Sequence, residues 1–277
     1  MKNIAFGQYY PATSPLHALD ARIKVILSVL YIVAAFLCKS TAAYLVLLLS
    51  AVLLVLLSRI PLRIILRSLR ALIFIMAFTA LLNLFFAKGE RLIFSRQLLP
   101  FWRIDLYVEG IYSAAFMLVR ILVLVIGTSL FLTYTTTPIA LTDALESLLS
   151  PLRVIRFPVH EFAMMMSIAL RFIPTLMEET YKIMSAQKAR GVDFSSGGLI
   201  RRAKALVPIL IPLFISSFRR ADELATAMEC RCYRGGKGRT RMTVHHLAAF
   251  DFAALFVMLA FGAGLLALNR VTLGFAL

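Results

Sequence analysis

The sequence predicts an all-α fold, a polytopic integral membrane protein of about five transmembrane helices carrying an inserted set of amphipathic helices. Three observations predict it. The 277-residue chain is 61% hydrophobic with a mean hydropathy of +0.86, whereas soluble domains are nearer half apolar. Apolar runs close to the ~20 residues needed to cross a hydrocarbon core recur along it. Strongly basic connections alternate with nearly neutral ones, as in a chain threaded through a membrane.

The elements follow in order. Residues 1–20 are polar and contain proline, with no short apolar core before a small-residue cleavage site, which argues against a removable signal peptide. Residues 25–38 form a short candidate span that Arg22 and Lys24 can lengthen by snorkelling. Residues 41–57, 71–87, 111–134 and 247–268 reach spanning length unaided. The segment through Lys24 has a net charge of +2, and the connection carrying Arg59, Arg63, Arg67 and Arg70 has +4. Residues 88–109 hold four basic and three acidic residues, and residues 135–246 hold sixteen basic and nine acidic ones. The positive-inside rule then places the N-terminus, the arginine connection and residues 135–246 in the cytoplasm and the C-terminus outside. The same rule accounts for the +16 net charge without nucleic acid as a partner.

The chain thus divides into a membrane region over 1–134 with four spans, a cytoplasmic coupling-helix region over 135–246, and a last span over 247–277. Residues 162–177 and 205–218 are apolar enough to suggest seven spans. Both are short and interrupted by Arg171 and Pro174 or by Pro208 and Pro212, and spanning them would export six basic residues between 178 and 204. They read better as cytoplasmic or half-inserted helices.

Within the insertion, residues 138–149 alternate apolar and polar residues at helical spacing and stop at Pro151. A second helix is expected over 160–190, with Glu178 and Lys182 paired at i,i+4, and a third over 205–231. Ser195–Gly198 is a flexible joint, and the glycine-rich run 234–239 leads back to the last span.

Two stretches in these helices end alike, Ser185-Ala-Gln-Lys-Ala-Arg190-Gly191 and Thr226-Ala-Met-Glu-Cys-Arg231-Cys232, 41 residues apart. One arginine before a glycine is ordinary capping, since a cation at a helix C-terminus is favoured by the macrodipole and glycine suits the left-handed position beyond it. Two copies suit a partner with two equivalent grooves. Guanidinium fits that task because its rigid fork pairs bidentately with a buried carboxylate and stays charged.

Other chemistry is sparse. No Gly-x-x-x-x-Gly-Lys-Ser/Thr phosphate loop is present, and 235–238 lacks the spacing. Cys230 and Cys232 are too few ligands for a structural zinc site and indicate a reduced, cytoplasmic setting. His245 and His246 read as interfacial, as does Asp251, and Arg120, deep in a span, as structural, either paired with an acid or snorkelling. An autonomous secondary transporter or channel is the alternative. It predicts inverted repeats, spans broken near the midplane and paired intramembrane charges, whereas the prolines here lie in the insertion. A membrane enzyme lacks any nucleophile–base or metal constellation.

Ala189-Arg190-Gly191 resembles the Ala-Arg-Gly signature of the EcfT family, the transmembrane T components of energy-coupling-factor transporters. Ala227-Met-Glu-Cys230-Arg231-Cys232-Tyr233 resembles the family's second signature, with Cys230 and Cys232 standing in place of its alanine and glycine. Gly7-Gln-Tyr-Tyr10, Ser14-Pro-Leu-His17, Leu19-Asp-Ala-Arg22 and Arg171-Phe-Ile-Pro174 are similar to further family segments, so the likeness covers nearly the whole chain. The resemblance implies an L-shaped arrangement of membrane and coupling helices in a bacterial cytoplasmic membrane. It implies two ABC-type ATPase subunits, EcfA and EcfA′, that dock at Ala189, Arg190, Gly191, Cys230, Arg231 and Cys232. It also implies a separate membrane-embedded S component that binds a vitamin or metal ion. ATP and magnesium belong to the ATPases, leaving this chain with no cofactor, catalytic residue or metal ligand of its own. Five of the eleven methionines, Met164, Met165, Met166, Met177 and Met184, fall in the second coupling helix. Their adaptable side chains suit exchange of S components.

Overall fold

The computed structural model describes residues 9–86, 92–99, 102–155, 157–194, 198–235 and 247–270. They fold as a short α1 (Pro15–Ala18), then α2 (Ala21–Leu37), α3 (Thr41–Ser58), α4 (Leu62–Phe86), α5 (Val108–Thr128), α6 (Pro138–Leu148), α7 (Val159–Ala189), α8 (Leu199–Cys230) and α9 (Ala249–Arg270). A π-helical stretch, Ser129–Tyr134, extends α5. The helical membrane class is as expected. An addition to it is an antiparallel hairpin of β1 (Leu92–Leu99) and β2 (Trp102–Tyr107) between α4 and α5. The chain separates into two units, Met1–Ala144 with His245–Leu277, and Leu145–Val244. The first boundary falls ten residues later than the sequence suggested, because the first turns of α6, with Thr142 and Ala144 buried, cluster with the membrane helices.

Among the described residues, four helices are long and apolar enough to cross a bilayer: α3, α4, α5 with its π extension, and α9. α2 has 17 residues, at the lower limit of spanning length. It is the central helix of its unit. Ile23, Leu27, Tyr31, Ala34 and Ala35 recur at helical spacing and are buried, packing with residues of α3, α5 and α9 into one apolar core. α4 is the opposite case, packed along α5 but with 6% of its span buried. It also starts earlier than expected. Arg63, Arg67 and Arg70 lie on its opening turns as one i, i+4, i+7 stripe, and only Arg59 falls in the turn, at φ 54°.

Buried polar contacts fix the ends of these helices, and one of them corrects an expectation. Lys24 does not snorkel. It is 3% exposed, and its Nζ donates to the carbonyls of Thr135 (2.9 Å) and His17 (3.2 Å). Asp251, in the first turn of α9, is 3% exposed, accepting the Asp20 N–H (3.0 Å) and the Ala248 N–H (2.9 Å). Arg120 is half-buried and pairs with no acid among the described residues. It donates to the Cys38 carbonyl (3.3 Å) and to the Tyr44 hydroxyl, and its guanidinium lies over the rings of Tyr44 (5.5 Å) and Phe36 (5.9 Å). A cation at the C-terminus of α2 is favoured by that helix's dipole. At the same end, Asn269 of α9 accepts the N–H groups of Lys39 and Ser40 (3.0 and 3.2 Å) and donates to the Leu37 carbonyl (2.6 Å).

The Leu145–Val244 unit is built differently. A 3₁₀ segment, Ser150–Ile155, leads to α7 and α8 of 31 and 32 residues, which continue through Pro174, Pro208 and Pro212. Neither is among the spanning helices. Glu146 pairs with His160 at 3.2 Å, holding the start of α7 to the end of α6. Among the described residues, the buried hydrophobics of this unit are Val159, Ala163 and Ile209. So small a core leaves most of both helices as contact surface. The Ser195–Gly198 joint, the 234–239 run and His245–His246 fall wholly or largely outside the described residues, as do Gly7 and Gln8.

Candidate functional site

The ends of α7 and α8 have the same local construction. Ala189 and Cys230 are the last helical residues, and Arg190 and Arg231 are the C-caps, at φ/ψ of −82°/6° and −90°/14°. Gly191 follows with φ 87° and Cys232 with φ 55°, both left-handed. At the first end the Gly191 N–H donates to the Lys188 carbonyl (3.0 Å) and the Val192 N–H to that of Gln187 (3.0 Å). At the second, the Cys232 N–H donates to Glu229 (2.8 Å) and the Tyr233 N–H to Met228 (3.0 Å). Each is a Schellman cap, the 5→2 and 6→1 pair that satisfies the last helical carbonyls. Cys232 therefore makes the turn the glycine would have made, against a backbone strain glycine does not feel. Arg190, Gly191, Arg231, Cys232 and the flanking Ala189 and Cys230 are all exposed, and both thiols are free.

What joins the two ends is an ion pair absent from the sequence reading. The expected Glu178–Lys182 pair is not the one formed. Instead Glu179 of α7 accepts from Ser216 Oγ (2.5 Å) and Arg220 Nη2 (2.9 Å) of α8. The Ser216 hydrogen bond foremost, then the Arg220 guanidinium, holds its carboxyl below the usual carboxylate range. Glu179 precedes Arg190 by eleven residues, and Arg220 precedes Arg231 by eleven. At 1.5 Å per residue each arginine lies about 16 Å beyond the pair along its own helix. No proline interrupts either arm, since Pro174, Pro208 and Pro212 all lie upstream. The unit thus presents two equal helical arms pinned together, each ending in an exposed arginine.

The methionines do not form one surface. At 100° per residue Met166, Met177 and Met184 share a face of α7, while Met164 and Met165 point elsewhere. Met165 and Met166 are exposed and the other three half-buried. The larger apolar surface is on α8. Leu206, Leu210, Ile211, Phe214, Ile215 and Phe218 line one side and are 48–65% exposed, while Ile209, Ser216 and Arg220 occupy the side turned to α7. The sequence signal was there, an apolar stripe at i, i+4, i+8 and i+12 from Leu206, but periodicity alone does not say whether a stripe faces a core.

Residues 12–242 match the CbiQ family, described as a cobalt transport protein. Relatives named energy-coupling factor transporter transmembrane protein EcfT include one from Thermosediminibacter oceani, 47% identical over 271 residues and 98% of each chain. One from Ruminiclostridium cellulolyticum is 49% identical over 261 residues, 94% of this chain and 95% of the relative. One from Clostridium kluyveri is 51% identical over 254 residues, 92% of each chain. The match runs through the membrane helices, both arginine-capped arms and the helix after them, and on that evidence the chain belongs to the CbiQ family, as an EcfT-type transmembrane component of an energy-coupling factor transporter.

Proposed function

We propose that this chain is the mechanical coupler of its transporter. Arg190 and Arg231 each insert into a groove on one of two soluble ABC-type ATPase subunits. The pinned arms of α7 and α8 carry ATP-driven closure toward the membrane. A separate S component, which binds the vitamin or transition-metal ion, seats on the outward apolar face of α8. ATP and magnesium are bound, and ATP is hydrolysed, in the partner chains. The N-terminus and the Leu145–Val244 unit are then cytoplasmic and the C-terminus outside, as the charge distribution suggests. The cobalt in the family description fits a metal-ion cargo, but the cargo is chosen by the S component, another chain.

The observation that carries this reading is the duplicated arginine cap. Two exposed guanidinium groups on congruent caps, each eleven residues from one Glu179–Arg220 pin, match a two-fold partner better than solvent. The exposed face of α8 supports the second contact, since a contiguous apolar patch of this kind marks a protein or membrane interaction site. The test is affinity capture of the detergent-solubilised protein from its own cells, wild type beside Arg190→Glu/Arg231→Glu. Two ATPase subunits recovered with the wild type and lost from the variant, with membrane insertion unchanged, is the expected result. ATPases recovered equally with both would reduce the arginines to helix caps and overturn the docking reading.

A further inference from the structure

The two units are joined where the chain leaves at Ala144–Leu145 and where it returns at Val244–His245. One buried polar node, lying wholly within the membrane unit, holds segments of that unit that precede and follow the coupling unit in the chain. On the outgoing side, Lys24 Nζ donates to the Thr135 carbonyl at 2.9 Å, between the end of the π-helical stretch and the start of α6. Thr135 and Thr136 are 4% and 6% exposed, and their hydroxyls donate back to the Phe131 carbonyl (2.9 and 3.1 Å). On the returning side, the Asp251 carboxylate takes the Ala248 N–H just ahead of α9 and, with its other oxygen, the Asp20 N–H. Asp20 is itself the N-cap of α2, accepting the Arg22 N–H at 2.8 Å. The stretch Asp20–Lys24 therefore holds the outgoing segment with a cation and the returning one through an anion.

Packing does not require this arrangement. α2, α5 and α9 already share an apolar core, and a buried ammonium opposes folding unless its partners compensate. A cavity of about 380 Å³ beside the node, lined by Tyr9, Asp20, Lys24, Thr135, Asp143 and Asp251 among others, leaves it open on one side. Charged groups at that depth with room beside them are a costly way to fix two backbone segments. They do set direction and position, which apolar contact does not.

We propose that Lys24, Asp20 and Asp251 are positioning residues that fix the membrane-unit segments leading to and from the coupling unit, so that motion of the arms is delivered to the membrane helices. This rests on the coupling reading above. The experiment is the complete transporter, purified with its ATPases and S component and reconstituted in proteoliposomes, with ATP hydrolysis, cargo uptake and subunit recovery measured on the same preparations. Lys24→Met and Asp251→Asn should recover the ATPases and hydrolyse ATP as wild type does. Uptake per ATP should fall about five-fold or more, the lower end of coupling carried between sites. Lys24→Arg, which keeps a buried donor cation, should restore most of it. Wild-type uptake per ATP in both variants overturns the proposal, as does a fall in uptake matched by an equal loss of assembled complex. If the wild type itself recovers no ATPases, the coupling reading fails instead.

Discussion

The two arginine caps differ in one atom set, and that difference has a calculable consequence. Gly191 and Cys232 occupy the same left-handed position in the same cap, but Cys232 carries a Cβ there. A Cβ built on Gly191 meets nothing within 4 Å, so Gly191→Cys would strain the backbone without a steric clash. The left-handed conformation costs a residue with a Cβ about 1–2 kcal/mol, and glycine gives back about 0.5–1 kcal/mol through its looser unfolded chain. The net is about 1 kcal/mol, or about five-fold in the equilibrium for opening the cap at RT near 0.6 kcal/mol. The readout is amide exchange at Val192 and Tyr233, whose N–H groups close the two caps, corrected for the intrinsic rate of the new residue. Gly191→Cys should speed exchange at Val192 about five-fold, and Cys232→Gly should slow it at Tyr233 by the same factor. Exchange unchanged by both substitutions, or faster in Cys232→Gly, would refute the view that cysteine holds this turn against strain.

Two further predictions concern packing and the pin. Gly127→Ala should lower the melting temperature in detergent by an amount corresponding to about 1–3 kcal/mol of overpacking. The new methyl meets Cδ1 and Cε1 of Tyr31, and that ring is 1% exposed, contacts Phe131 edge-on and has its hydroxyl bonded to Ser50. Gly262→Ala, with open space at its Cβ, serves as the control, and equal melting of the two variants would count against the clash. For the pin, a double-mutant cycle over Glu179→Gln and Arg220→Gln should give a coupling of about 0.2–1 kcal/mol, the range for part-exposed pairs. Because the folded Glu179 pKa lies below its ordinary 4.5, the coupling should be complete above about pH 4.5 and disappear as pH falls through that lower folded value. A coupling that grew on acidification would contradict the assignment.

What the sequence conveyed best was local. A cap is decided within six consecutive residues, so the repeated arginine with a small residue after it was readable before any coordinates, and so was the left-handed turn at Gly191. Span length is likewise a property of one segment, which is why α3, α5 and α9 fall within a few residues of their expected limits. α4 started nine residues early because Leu62–Arg70 is arginine-rich yet continuous with the helix; hydropathy registers the charges, whereas a helix tolerates them on its exposed side. The hairpin of β1 and β2 was missed in a connection read for its charge alone.

The polar residues divide along the same line. Lys24, Asp251 and Arg120 were read from their positions along a span, which could not reveal their partners. Their partners are carbonyl, amide and phenol groups brought in from elsewhere in the chain: Thr135 for Lys24, Asp20 for Asp251, Cys38 and Tyr44 for Arg120. Glu179 paired with Arg220 for the same reason, since α8 places a serine and a guanidinium against it at once. By itself the sequence determined a basic, mostly membrane-embedded helical chain with two arginine-tipped helices. Tertiary structure decided which charges are buried, which face of α8 is left uncovered and where the two arms are pinned, because each depends on groups far apart in sequence competing for the same few ångströms of space.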